Sequence, residues 1–293
     1  IVSDVEQRIK KVQALQKLHH PNIIRLLGSV YHPNPLTFCL VLEYCNAGDL
    51  SVALQHPTPP NFFFHVATSI AKGMSYLHNR GVIHRDIKPA NDLLDGKIST
   101  GIFSVKVTDF GVATESKGRN DDKTAETGTY RWMPPEVIRH EAYSQTADVF
   151  SYGVVLFQLL TRENPFADKS QVEAAAAVAL EDRRPPSPAG IPTSVLDLIN
   201  NCWTKEPDER PAFPSIIERL GSIETSLSPD EKEWMETAIG HHVYSETFEE
   251  RKQRLLDQRK AQEAKNNKLK ETEDKGKRRV FKRMFKNRKS SYF

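Results

Sequence analysis

Apolar residues recur along the chain with two different periods, and these divide it into elements. Val5, Ile9, Val12, Leu15 and Leu18 stand three or four apart, which predicts an amphipathic helix over 4–18. His19-His20-Pro21-Asn22 ends it, because the residue before a proline avoids the helical region. Ile23 to Val30 and Phe38 to Tyr44 are short apolar runs rich in β-formers, separated by His32-Pro33-Asn34-Pro35, and are expected to pair as strands. Asn46-Ala47-Gly48-Asp49 closes the second strand and suits the cap of a short helix. From Phe63, helical spacing runs through Val66, Ala67, Ile70, Met74 and Leu77 to His78, where Arg80-Gly81 stops it. Val105 to Thr108 alternate as a strand does. Residues 148–160 are apolar on nearly every face, which marks a helix buried at the centre of a domain. Two more helices fit Ser194–Trp203 and Phe213–Ile223. After about Leu227 the pattern fades, and 245–274 are mostly charged, suiting a frayed solvated helix or disorder.

Charge sharpens that division. The whole chain of 293 residues carries a formal +3. From Lys275 onward there are nine Lys/Arg and no Asp/Glu; subtracting nine from 41 leaves 32 bases against 38 acids, about −6 for residues 1–274. The terminal segment is thus a basic appendage on a mildly acidic body. Cys39, Cys45 and Cys202 are odd in number and scattered, as expected in a reducing compartment. Neither a signal peptide nor an apolar run of about 20 residues is visible. The chain opens at Ile1 and not at methionine, which suggests a fragment or a trimmed start.

The candidate chemistry lies in His84-Arg85-Asp86-Ile87-Lys88-Pro89-Ala90-Asn91, followed eighteen residues later by Asp109-Phe110-Gly111. Moving a phosphoryl group needs hard oxygen ligands for a metal, a carboxylate for the acceptor proton and a nearby cation. Asp86, Lys88, Asn91 and Asp109 supply that set. Both motifs together, in this order, resemble the catalytic and metal-binding loops of the protein kinase family. Lys88 with Pro89-Ala90-Asn91 is similar to the serine/threonine enzymes. Gly128-Thr129-Tyr130-Arg131-Trp132-Met133-Pro134-Pro135-Glu136 and Cys202-Trp203 resemble the tyrosine-kinase-like group, with its Raf and mixed-lineage branches.

The resemblance implies an α+β, bilobal protein-kinase-like fold with a truncated N-terminal β lobe and a complete, mainly α-helical C-terminal lobe. The expected parts are 1–45 as partial N-lobe, 46–224 as C-lobe, 225–274 as charged extension and 275–293 as basic tail. It implies ATP and Mg²⁺ as cofactors, with Asp86 as base, Lys88 on the γ-phosphate, and Asn91 and Asp109 on the metal. Leu42 would be the gatekeeper of an adenine pocket, with backbone groups of Glu43 and Cys45 facing the base, Leu93 under the ring and Asp49 near the ribose. Glu136 is expected to pair with Arg210, and Asp148 to anchor the catalytic-loop backbone. Residues 116–127 resemble an activation loop, where a phosphate on Thr124 or Thr127 would find Arg85. A flexible loop without regulation is the plainer alternative.

Three departures stand beside this. No Gly-x-Gly-x-x-Gly and no Val-Ala-x-Lys-like strand occurs ahead of the helix over 4–18. Lys11 occupies the place of the helix glutamate, with Glu6 five residues away. Asp92 follows Asn91 where an apolar residue would pack beside the adenine pocket; a buried carboxylate there is costly and tends to stay protonated. The implied function is a serine/threonine kinase acting on protein substrates in intracellular signalling; the alternative is a pseudokinase adaptor that binds partners without turnover. In 277–289, Val280, Phe281, Met284 and Phe285 interleave with bases, which suits anionic membrane, calmodulin, nucleic acid or nuclear import, or a solvated tail. No sequence-specific nucleic-acid binding is expected of the acidic body. The expected location is cytoplasmic, with membrane-peripheral or nuclear roles left to the basic C-terminus.

Overall fold

The computed structural model describes residues 16–33, 36–109, 114–115, 130–188 and 190–237. The chain divides into Ile1–Ser245 and Glu246–Phe293; all described residues lie in the first unit. Most of the helix expected over 4–18, with Glu6 and Lys11, lies outside the described residues, as do Phe110, Gly111, Thr124, Thr127, Thr129 and the basic tail.

β1 (Leu26–Pro33) and β2 (Leu36–Leu42) form an antiparallel hairpin, with a register shift between Leu26 and Gly28. The apolar run expected to start a strand at Ile23 starts one only at Leu26. Ile23 and Ile24 instead reach a different strand: Ile23 makes an isolated parallel bridge to Val107, and the Ile24 amide donates to the Val107 carbonyl at 3.0 Å. The hairpin carries no Asp, Glu, Lys or Arg, and Leu27, Val30, Leu40, Val41 and Leu42 are all exposed.

α1 (Leu50–Ala53) is capped by Asp49, which accepts from the Val52 amide. α2 (Phe62–His78) buries one long face, including Val66, Ala67, Ile70, Met74 and Leu77. Gly73 on this helix permits a close approach: a Cβ there would lie 2.7 Å from the Asn22 carbonyl oxygen. β3 (Val82–Ile83) pairs with β6 (Thr114–Glu115), and β4 (Asp92–Lys97) pairs with β5 (Ile102–Val107), which packs on α2.

The body is helical. α3 (Pro135–Ile138) precedes α4 (Thr146–Thr161), in which every residue from Ala147 to Thr161 is buried. Such a helix needs apolar residues all round, as its sequence has. α5 (Gln171–Ala179), α6 (Thr193–Cys202) and α7 (Phe213–Ser226) follow; α4 packs on α6, and α2 on α7. The body does not stop where the large apolar residues thin out. α8 (Pro229–Thr237) packs on α2 and buries Trp234 to 2 % exposure. Among the described residues no helix is long and apolar enough to cross a membrane.

Candidate active site

The loop between β3 and β4 is assembled around one carboxylate. Asp148, in the first turn of α4 and 1 % exposed, accepts the amides of His84 at 2.9 Å and Arg85 at 2.8 Å. His78, the last residue of α2, donates its Nε2 to the same carboxylate at 2.8 Å. Arg85 has φ of +74°, a conformation that side-chain-bearing residues seldom adopt. Two fixed amide bonds hold it there, and the turn throws Asp86 toward Lys88 and Asn91. The Arg85 guanidinium lies 5.4 Å from the Tyr143 ring centroid.

Asp86 is 6 % exposed, and its two oxygens differ. Oδ2 accepts from Lys88 Nζ at 2.7 Å and from Asn91 Nδ2 at 2.9 Å. Oδ1 is buried and has no hydrogen-bond partner among the described residues. Asn91 also donates Nδ2 to the Asp86 carbonyl at 2.7 Å, so both amide hydrogens are committed and Oδ1 is left to accept or to coordinate.

The second motif is tied to the first at two points. The Thr108 amide donates to the Asn91 carbonyl at 2.8 Å, and His84 Nε2 donates to the Thr108 carbonyl at 2.8 Å. The Asp92↔Val107 register sets Asn91 opposite Thr108. Asp109 comes next, exposed and at φ +63°. Two carboxylates, a carboxamide oxygen and an ammonium are thereby supplied by two neighbouring loops, which is a donor set for a hard cation and an anionic ligand.

The connection after β2 is fastened to β4. The Ala47 amide donates to the Leu94 carbonyl at 3.0 Å, the Leu94 amide to the Gly48 carbonyl at 2.8 Å, and Asp49 bridges Leu93. Glu43 commits its amide to the Arg25 carbonyl at 2.9 Å and its Oε1 to the Arg25 amide at 2.8 Å and to Lys106 at 3.0 Å. Cys45 is buried, and burial pushes its thiol up, with the Asp95 and Glu43 carboxylates adding to the effect. Asp49 Oδ1 is spent on the Val52 amide at 3.1 Å and on the Ser51 hydroxyl.

Asp92 lies on the buried face of β4. Burial alternates along β4, so Asp92 and Leu94 face the core while Leu93 faces the other way. That opposition is the two-residue period of a strand. Asp92 is 1 % exposed, its Oδ2 finds no hydrogen bond among the described residues, and burial drives its proton affinity well above the ordinary carboxylate range. Tyr152, whose hydroxyl donates to the Ala67 carbonyl at 2.9 Å, is likewise pushed up, chiefly by burial, with Cys202 and Asp92 contributing.

Glu136 and Arg210 form a bidentate pair at 2.6 and 2.9 Å, both buried. Arg210 also donates to the carbonyls of Thr146 at 3.0 Å and Thr204 at 3.0 Å, joining α3, α4 and the segment after α6. His78 was missed by sequence reasoning. Its bond to Asp148 spans 70 residues, and no spacing signal connects them.

The sequence profile of the protein tyrosine and serine/threonine kinase family matches residues 2–220. The serine/threonine-protein kinase STY46 of Arabidopsis thaliana is 38% identical over 253 residues, covering 83% of this chain and 42% of that protein. The serine/threonine/tyrosine-protein kinase HT1 of Arabidopsis thaliana is 38% identical over 218 residues, covering 73% of this chain and 54% of that protein. Mitogen-activated protein kinase kinase kinase 10 of Homo sapiens is 39% identical over 228 residues, 75% of this chain and 24% of that protein. The chain spans about half or less of the length of these curated relatives. With that match over most of its length, the chain belongs to the protein tyrosine and serine/threonine kinase family.

Proposed function

We propose that this chain is the phosphoryl-transfer lobe of a tyrosine-kinase-like serine/threonine-protein kinase, which moves the γ-phosphoryl group of ATP to a Ser or Thr hydroxyl of a protein. The observation that carries this is the Asp86 carboxylate. Lys88 and Asn91 fix one oxygen, and the other is buried with no hydrogen-bond partner among the described residues. An unpartnered buried acceptor is costly unless a ligand supplies the missing donor. A substrate hydroxyl is such a donor, and Asp86 Oδ1 would orient it and take its proton as the oxygen attacks.

Lys88, 2.7 Å from Asp86, would set its charge against the transferred group. Asn91, whose Nδ2 hydrogens go to Asp86 and leave its Oδ1 to coordinate, and the exposed Asp109 would hold Mg²⁺, which when bound neutralises the nucleotide's phosphate oxygens. The Glu43 carbonyl and the Cys45 backbone would face adenine and Leu93 would lie against it. Asp49 keeps one oxygen for a ribose hydroxyl after capping α1. The basic 277–289 would add contact with an anionic membrane or calmodulin.

The test is phosphate incorporation into a protein acceptor by the full chain, with Asp86→Asn as control. Loss of a positioned base predicts a fall of about 10²–10⁴-fold. Equal incorporation by the variant would sink the assignment. A second reading, an adaptor that binds partners without turnover, draws on Asp92, a buried acid in the strand that follows Asn91. Absence of incorporation by the wild-type chain, with retained partner binding, would favour it.

A further inference from the structure

The connection between α1 and α2 is held from outside by one side chain. Arg162, which follows α4 at φ +59°, donates Nη1 to the His56 carbonyl at 2.7 Å and to the Leu54 carbonyl at 3.4 Å. Its Nη2 donates to the Thr58 hydroxyl. A guanidinium has five N–H donors, so two are left over. Nε is one of them, buried with no hydrogen-bond partner among the described residues. Nor does a carboxylate offset the charge: burial lowers the pKa of Arg162, and no Asp or Glu opposes it.

Thr58 and Arg162 line a cleft together with Asn61 and the exposed Lys232 of α8, over a floor of Phe62 and Leu159. Two cations therefore share this cleft, and no Asp or Glu lines it. Like charges held together at the edge of a low-dielectric wall favour an anion between them. The space open to a water-sized group is about 20 Å³, too little for an organic molecule. It suits a group already attached to the wall. The sequence supplies the point of attachment, because Thr58 is followed by Pro59-Pro60 and the residue before a proline is held extended. A hydroxyl on extended backbone just ahead of a proline is what proline-directed kinases take.

We propose that Thr58 is a phosphorylation site, modified by a proline-directed serine/threonine kinase, and that Arg162 and Lys232 hold the phosphate. The transfer breaks the bond from the γ-phosphorus of ATP to its bridging oxygen and forms one from that phosphorus to Thr58 Oγ1. ADP leaves, and the hydroxyl proton goes to the modifying enzyme's base. The new oxygens then meet the spare guanidinium donors and the Lys232 ammonium, which ties 54–61 to the end of α4 and to α8. No residue of this site belongs to the loops around Asp86, so it stands or falls apart from phosphoryl transfer there.

The experiment treats the full chain with a mitogen-activated protein kinase and Mg-ATP and locates phosphate by peptide mass spectrometry. Ser187-Pro188 and Ser228-Pro229, the other Ser/Thr-Pro pairs of the sequence, are the internal references. Phosphate on Thr58 should titrate by ³¹P NMR at a lower pH than in the urea-unfolded chain, because neighbouring cations favour the dianion. Lys232→Ala should move that titration part of the way back. Amide exchange over 54–61 should slow about tenfold on modification, as a charge-assisted hydrogen bond would give. Inorganic phosphate should leave exchange in the unmodified chain unchanged. Absence of phosphate on Thr58, a titration equal to that of the unfolded chain, or exchange over 54–61 that does not slow overturns the proposal. An equal slowing by inorganic phosphate overturns it too, by assigning the cleft to a free anion. A titration untouched by Lys232→Ala overturns the part given to Lys232.

Discussion

Asp92 and Asp86 are six positions apart and show what surroundings do to the same side chain. Each keeps one buried oxygen that no described group satisfies, but the other oxygen of Asp86 accepts from Lys88 and Asn91, whereas Asp92 lies with Leu94 on the buried face of β4. Burial raises the folded-state pKa of Asp92 above its unfolded value of about 3.9. Between those values the native state binds one more proton than the unfolded state. Stability is therefore full below the unfolded value and falls by about 1.4 kcal/mol per pH unit as pH rises toward the folded value. Urea unfolding at pH 5 and pH 7 should show this decline in the wild type. Asp92→Val should lack it and be more stable at pH 7, by about 1–3 kcal/mol for the removed unsatisfied group. The same slope in both proteins would show that Asp92 is not the group responsible.

Elements meet here through a few close approaches, and Gly73 marks one of them on α2. A methyl at this position would stand 2.7 Å from the Asn22 carbonyl and 3.2 Å from the Ile23 side chain, so Gly73→Ala must push the segment 22–24 from its bridge to Val107. Thermal unfolding should register a loss of about 1–3 kcal/mol, the usual range for an overpacked contact, despite alanine's better helix propensity. An unchanged or raised midpoint would mean the segment yields freely. The periodicity of α2 and the all-round apolar character of α4 made both legible in the sequence, since each buries large side chains on a regular repeat. β4 was not legible: Asp-Leu-Leu-Asp-Gly-Lys shows no apolar alternation, because the buried face holds Asp92. α5 was hidden because its core face is built of alanines, and α8 because Trp234 is a lone anchor among charges. Within the candidate site, the grouping of Asp86 with Lys88 and Asn91 was legible, because the three lie within six positions of one loop. What was not legible is how they are held: His78 on Asp148 is a contact between distant positions, and no local pattern carries it.

Long-range polar contacts knit the body together across the chain. Glu136 and Arg210, 74 positions apart, are buried and bidentate. Removing one charge strands the other, so Glu136→Ala should cost about 3–5 kcal/mol in urea unfolding. The double variant with Arg210→Ala should cost less than the two single losses added together, because neither charge is then left alone. Strict additivity would mean the pair is not coupled. Asp148 is a tie of the same kind with a different outcome in time. The amides it holds belong to residues 64 and 63 positions earlier, and the loop they shape contains the proposed base. On a ribosome adding about 5–20 residues per second, Asp86 emerges several seconds before the carboxylate that sets its loop. A nascent chain of this protein therefore carries the loop for some time without the carboxylate that fixes its backbone. On the function proposed above, the candidate centre is completed only once α4 has been synthesised and folded.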